Sequence, residues 1–97
     1  MIVYIAGKMT GEENWNWSRF KLAESKLMQA GHIALNPADL PTNMPAYKYM
    51  PICLAMLEAA DAIYMLDGWR DSPGATLEKS YAEYQHKQII YEDYNFS

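Results

Sequence analysis

"AIYMLDGWRDSPGATLE", residues 62–78, is the stretch on which the fold turns. It opens with five apolar residues that do not alternate with polar ones, which is how a strand buried on both faces reads. Gly68, Pro73 and Gly74 then mark a loop. From Thr76 to Lys87 the spacing of Leu77, Tyr81 and Tyr84 predicts a helix with those residues on one stripe. Strand, glycine-bearing loop and helix in that order are the building block of a parallel sheet.

The rest of the chain repeats the block. "IVYIA", residues 2–6, reads as a central buried strand, and "GKMTG" after it as a loop. Trp17, Phe20, Ala23, Leu27 and Ala30 recur at helical spacing within residues 14–30, and Gly31 stops that helix. Of the two tryptophans at its start, Trp17 is expected in the core and Trp15 outside. "HIALNP", residues 32–37, is a second strand. "ADLPTNMPAYKYMP" carries three prolines and reads as irregular. Residues 52–60 predict a short helix with Ile52, Met56, Ala59 and Ala60 facing inward, and "QIIYE", residues 88–92, a fourth strand. The expectation is one α/β domain over residues 1–97, a doubly wound parallel sheet of four to five strands in the Rossmann or flavodoxin manner. Ligands of such sheets sit beyond the carboxyl ends of the strands where strand order reverses, here between the first and third strands.

Composition narrows the partners. A net charge of −4 without a basic block argues against a nucleic-acid polymer. One cysteine, Cys53, calls for no oxidising compartment, and no apolar run is long enough to span a bilayer, so a cytoplasmic setting is expected. Two histidines, His32 and His86, lie far from each other and from Cys53, so neither a metal nor another cofactor is expected. Eight Tyr, three Trp and two Phe exceed what a core this small can hide, which points to a pocket lining or a subunit contact.

The loop and helix of the opening quotation hold the chemical candidates. Ser72 either caps the helix or offers its hydroxyl to a ligand, and Gly74 lets a ligand approach the backbone. The first N–H groups of the helix favour an anion. Glu78 is either an exposed acid favoured by the helix dipole or a carboxylate in a cleft, able to act as nucleophile or base. Trp69 either stacks on a flat ring or packs beneath the loop.

Four segments, "VYIAGKMTG", "GHIALNPADL", "AADAIYMLDGW" and "SPGATLE", together resemble the nucleoside 2-deoxyribosyltransferase-like family, which includes nucleoside-monophosphate N-glycosidases, and in particular its short uncharacterised branch from phages and bacteria. The resemblance implies a small-molecule nucleoside or nucleotide substrate, cleavage or exchange of its N-glycosidic bond, and a homodimer or larger homo-oligomer. By resemblance Glu78 is the nucleophile, Tyr4 places it, Ser72 contacts the 5′ end of the substrate, and Gly7, Lys8 and Thr10 lie against sugar or phosphate. The family's second carboxylate falls on position 53, eight residues before Asp61, where this chain has Cys53. Asp67, and after it Asp39, are the candidate substitutes. A pocket that binds nucleotides without reacting is the alternative this departure raises.

Overall fold

A computed structural model describes residues 1–92; the tail 93–97 lies outside the described residues. Four strands, β1 (Ile2–Ala6), β2 (Ile33–Leu35), β3 (Ala62–Met65) and β4 (Gln88–Tyr91), form one all-parallel sheet in the order β2-β1-β3-β4. Three helices, α1 (Trp17–Gln29), α2 (Ala46–Ala59) and α3 (Pro73–Tyr84), make the crossovers. Right-handed crossovers dictate their sides. The β1-to-β2 step runs one way along the sheet, while the β2-to-β3 and β3-to-β4 steps run the other. Accordingly α1 covers one face, where Phe20, Ala23 and Leu27 pack with Val3, Ile5, Ala62 and Leu66. The opposite face takes α2 and α3, whose Cys53, Leu57, Ala75 and Ala82 pack with Tyr4, Ala6, Ile63 and Met65. This is the expected α/β class with four strands, and order reverses between β1 and β3, which pair in register from Val3↔Ala62 to Ala6↔Met65.

Local chemistry explains the boundaries that differ from expectation. The first helix begins at Trp17 rather than Asn14, because Asn14, Trp15 and Asn16 are all left-handed, with φ of 51°, 54° and 64°. Asparagine visits that region readily and tryptophan does not, at a cost of about 1–2 kcal/mol for Trp15. This turn swings Trp17 out of the core, and at 44% exposure it is nearly as open as Trp15. The second helix starts six residues early, inside the proline-rich segment. Pro45 precedes it and Pro51 forfeits one hydrogen bond, toward the exposed Tyr47 near the helix start. It buries Cys53 and Leu57, with the expected Met56 half-buried against the same core and Ala60 buried just past its end, while Ile52 and Ala59 are exposed. "ICLAMLEAA" is apolar nearly all round, so its periodicity does not single out a face. The third helix buries Ala75, Glu78 and Ala82, leaving Leu77 and Tyr84 exposed. Tyr81 is half-buried against the same core, and the alanines bring the backbone close to the sheet.

Two helices close with the same hydrogen-bond pattern. After α1, the N–H groups of Gly31 and His32 donate to Met28 and Leu27. After α3, those of His86 and Lys87 donate to Glu83 and Ala82. The pattern needs a left-handed residue in its middle, supplied by Gly31 (φ 90°) and by His86 (φ 59°). Glycine meets that need without strain and histidine does not. His86→Gly is therefore expected to stabilise the fold by about 1 kcal/mol, read from the denaturant midpoint.

At the end of β1, Gly7 has no such latitude. A Cβ there would lie 2.8 Å from Leu66 Cδ1 and 2.9 Å from its Cβ. Gly7→Ala should cost about 1–3 kcal/mol in the same melts.

Candidate functional site

Beyond the carboxyl ends of β1 and β3, the loops and helix starts enclose a cavity of about 600 Å³. Its closed end is formed by buried side chains, Tyr4 from β1, Cys53 from α2 and Glu78 from α3. Its open rim carries exposed ones, among them Thr10, Trp15 and Asp71. Between them the wall is largely apolar, with Met9, Leu40, Met44 and Met50. Tyr49 lines it as well, its hydroxyl donating to the Pro41 carbonyl and accepting from the Met44 N–H, which ties the proline segment down.

The Tyr4 hydroxyl donates to Glu78 Oε2 at 2.8 Å, joining residues 74 apart in sequence. Glu78 is only 6% exposed. Burial pushes its carboxyl up to about 7, against the opposing effect of the Tyr4 hydrogen bond. Tyr4 is held well above its ordinary value, first by its own burial and then by the charge of Glu78. Burial likewise raises the Cys53 thiol, and the Glu78 charge adds to this while Tyr4 opposes it. Cys53 thus packs in the core and borders the acid at once. A carboxyl poised near neutrality in an apolar, partly closed cavity is able to act as nucleophile or as base.

Ser72 caps α3, its Oγ accepting from Ala75 N–H at 3.1 Å while its carbonyl accepts from Thr76 Oγ1. Its hydroxyl hydrogen is still able to be donated into the cavity. Gly74 also lines the cavity, and a Cβ there would meet Met50 Cε at 3.4 Å. Gly7, Lys8 and Thr10 belong to the same wall. Lys8 sits 3.7 Å from Glu12, and its carbonyl accepts from Asn16 Nδ2. The structure therefore gathers Tyr4, Gly7, Lys8, Thr10, Ser72, Gly74 and Glu78 around one space.

Asp67 and Trp69 lie elsewhere. Asp67 is exposed outside the cavity wall, its backbone held by Glu92 and Arg19. Trp69 packs half-buried against Tyr91, under Arg70 and Lys79. Asp39 pairs with Lys21, and Asp61 accepts from Ile2 N–H. Sequence reasoning missed Asp71, whose place one residue before the helix cap was the available signal. It also missed that Trp15, ahead of α1, and Trp17, its first residue, border the cavity. Among the described residues no group of three or more His, Cys, Asp or Glu comes together as a metal site, and no helix is long and apolar enough to cross a membrane.

Residues 1–91, nearly the whole chain, match a protein-family model. The chain belongs to DUF4406, a domain of unknown function. Comparison with curated proteins yields no match. The cavity and its buried acid are thus features of a DUF4406 domain, and they have to be read from their own chemistry.

That chemistry has a thermodynamic signature. A carboxyl at its ordinary 4.5 when unfolded and near 7 when folded binds its proton more tightly in the native state. The stabilisation it contributes is full below pH 4.5 and is lost as pH rises through 7, an effect of about 3 kcal/mol. Glu78→Gln keeps the shape and cannot ionise. Denaturant melts should show the variant more stable than the parent at alkaline pH and close to it at acid pH.

Proposed function

We propose that this domain binds a nucleoside or nucleoside 5′-monophosphate and cleaves or exchanges its N-glycosidic bond through Glu78. The observation that carries this reading is the buried carboxylate hydrogen-bonded to Tyr4 inside an apolar cavity that also holds Ser72 and Gly74. The resemblance to the nucleoside 2-deoxyribosyltransferase-like family, carried by four segments in the family's order, supports it. In the reaction, a Glu78 oxygen attacks the anomeric carbon as the carbon–nitrogen bond breaks. The bonding pair leaves with the base, which takes up a proton from solvent water, and the positive charge that develops on the sugar is stabilised by the carboxylate. Water, which gives its proton to solvent, or a second base then bonds to the anomeric carbon as the bond to the Glu78 oxygen breaks, restoring the carboxylate. Tyr4 orients the carboxylate and, by donating to it, favours the ionised form that attacks. The large aromatic surface supports a homo-oligomer, and the absence of a cysteine pair supports a cytoplasmic setting.

One observation favours a second reading, a pocket that binds nucleotides without turning them over. Cys53, not an aspartate, stands beside Tyr4 and Glu78, so the carboxyl that would protonate the departing base is missing from that position.

Incubation with purine and pyrimidine deoxynucleosides and their monophosphates, with free base followed by chromatography, separates the two. Release by the parent should rise with pH through about 7 as Glu78 ionises. It should fall about a thousandfold or more in Glu78→Ala. Tight binding with no base released by the parent selects the sequestering reading.

A further inference from the structure

Three of the seven methionines, Met9, Met44 and Met50, line the cavity, and each is half-buried. The others lie away from it. Met1 and Met28 are exposed, Met56 packs against the core, and Met65 is fully buried. A thioether is apolar and flexible, so it suits a wall that adapts to its ligand. It is also a side chain that peroxides convert to a polar sulfoxide.

Met50 is the best placed of the three. It lies on α2 three residues before Cys53, so the two share a face of the helix. Its ε-methyl rests over Gly74 at the start of α3, 3.4 Å from where a Cβ of that residue would stand. The sulfur, one bond away, is therefore held where α2 and α3 meet at the cavity wall. That end of α3 has a donor to offer. Pro73 has no N–H, and those of Ala75 and Thr76 donate to Ser72. Among the described residues the Gly74 N–H is left without a partner. A thioether is too weak an acceptor to use it, whereas a sulfoxide oxygen is a strong one.

We propose that Met50 is an oxidation site through which a peroxide shuts the cavity. The sulfur lone pair attacks one oxygen of hydrogen peroxide and the O–O bond breaks. The departing hydroxide takes the proton from the transferred oxygen and leaves as water. Sulfur is oxidised by two electrons and the peroxide is reduced by two. The new oxygen accepts from the Gly74 N–H, pinning the side chain between the helices and turning an apolar part of the wall polar. This inference goes beyond the nucleoside reading, because it concerns the wall and holds for any apolar ring the cavity admits.

Graded treatment of the full chain with hydrogen peroxide tests it, with each methionine followed by peptide mass spectrometry. Cavity binding is read with the uncharged fluorescent dye phenylnaphthylamine and, separately, by calorimetry with deoxyadenosine. Met50 should oxidise after the exposed Met28 and well before the buried Met65. Dye affinity should fall about tenfold as Met50 is converted. Met50→Leu should bind the dye as the parent does and resist peroxide, while Met28→Leu should stay sensitive. Methionine sulfoxide reductase with dithiothreitol should restore binding where dithiothreitol alone does not, which separates the sulfoxide from an oxidised Cys53 thiol. Three results overturn the inference: Met50 intact when Met28 is fully converted, equal peroxide sensitivity in Met50→Leu, or no dye binding by the untreated parent. Dye binding without deoxyadenosine binding counts against the nucleoside reading alone and leaves this inference standing.

Discussion

The hydrogen bond between Tyr4 and Glu78 is the constraint on which the site depends. It ties the central strand to the last helix and keeps a carboxyl inside the apolar layer between them. A buried carboxylate without a partner would cost several kcal/mol and would turn outward or stay protonated. The phenol offsets part of that cost, and an acid near 7 is the balance the two effects strike. Both groups lie where the inner faces of β1 and α3 meet, so the same packing that closes the core also closes the end of the cavity.

The neighbours of this pair follow from space. Ala75 and Ala82 on either side of Glu78 let α3 approach the sheet closely enough for the carboxylate to reach Tyr4. Gly7 lets the chain leave β1 directly over Leu66. The cavity above is what the loops leave uncovered, since the left-handed turn at residues 14–16 carries Trp15 and Trp17 to its border instead of into the core. Stability and chemistry pull in opposite directions here, because a neutral side chain at position 78 would suit the core better than an acid does.

Much of the architecture was legible in local pattern. Short unalternating apolar runs marked all four strands and Gly31 marked the end of α1, while α3 starts at Pro73, three residues ahead of the expected Thr76, because Ser72 takes the capping role that was one of its two readings. The site was legible in part, through Tyr4 at a strand centre and Glu78 six residues past a cap. The inward faces of the helices were not. Leu77, Tyr81 and Tyr84 made the more apolar stripe on α3, yet of these only Tyr81 packs, half-buried, against the core, and the helix buries its alanines and the glutamate. Amphipathicity measures transfer from water, while the gap between helix and sheet selects by size, and the two disagree wherever small residues line the inner face.

By itself, then, the order of residues determined the kinds of elements and their succession, because propensity, turn chemistry and apolar spacing act within a few residues. Chain direction and crossover handedness carried that succession to a parallel sheet with its reversal between β1 and β3. Tertiary structure alone decided that Asp71 and not Asp67 reaches the cavity, and that Trp17 stays outside the core. Each of those depends on which side chain meets which across tens of residues, and that is settled by packing volume and by the need to partner a buried charge.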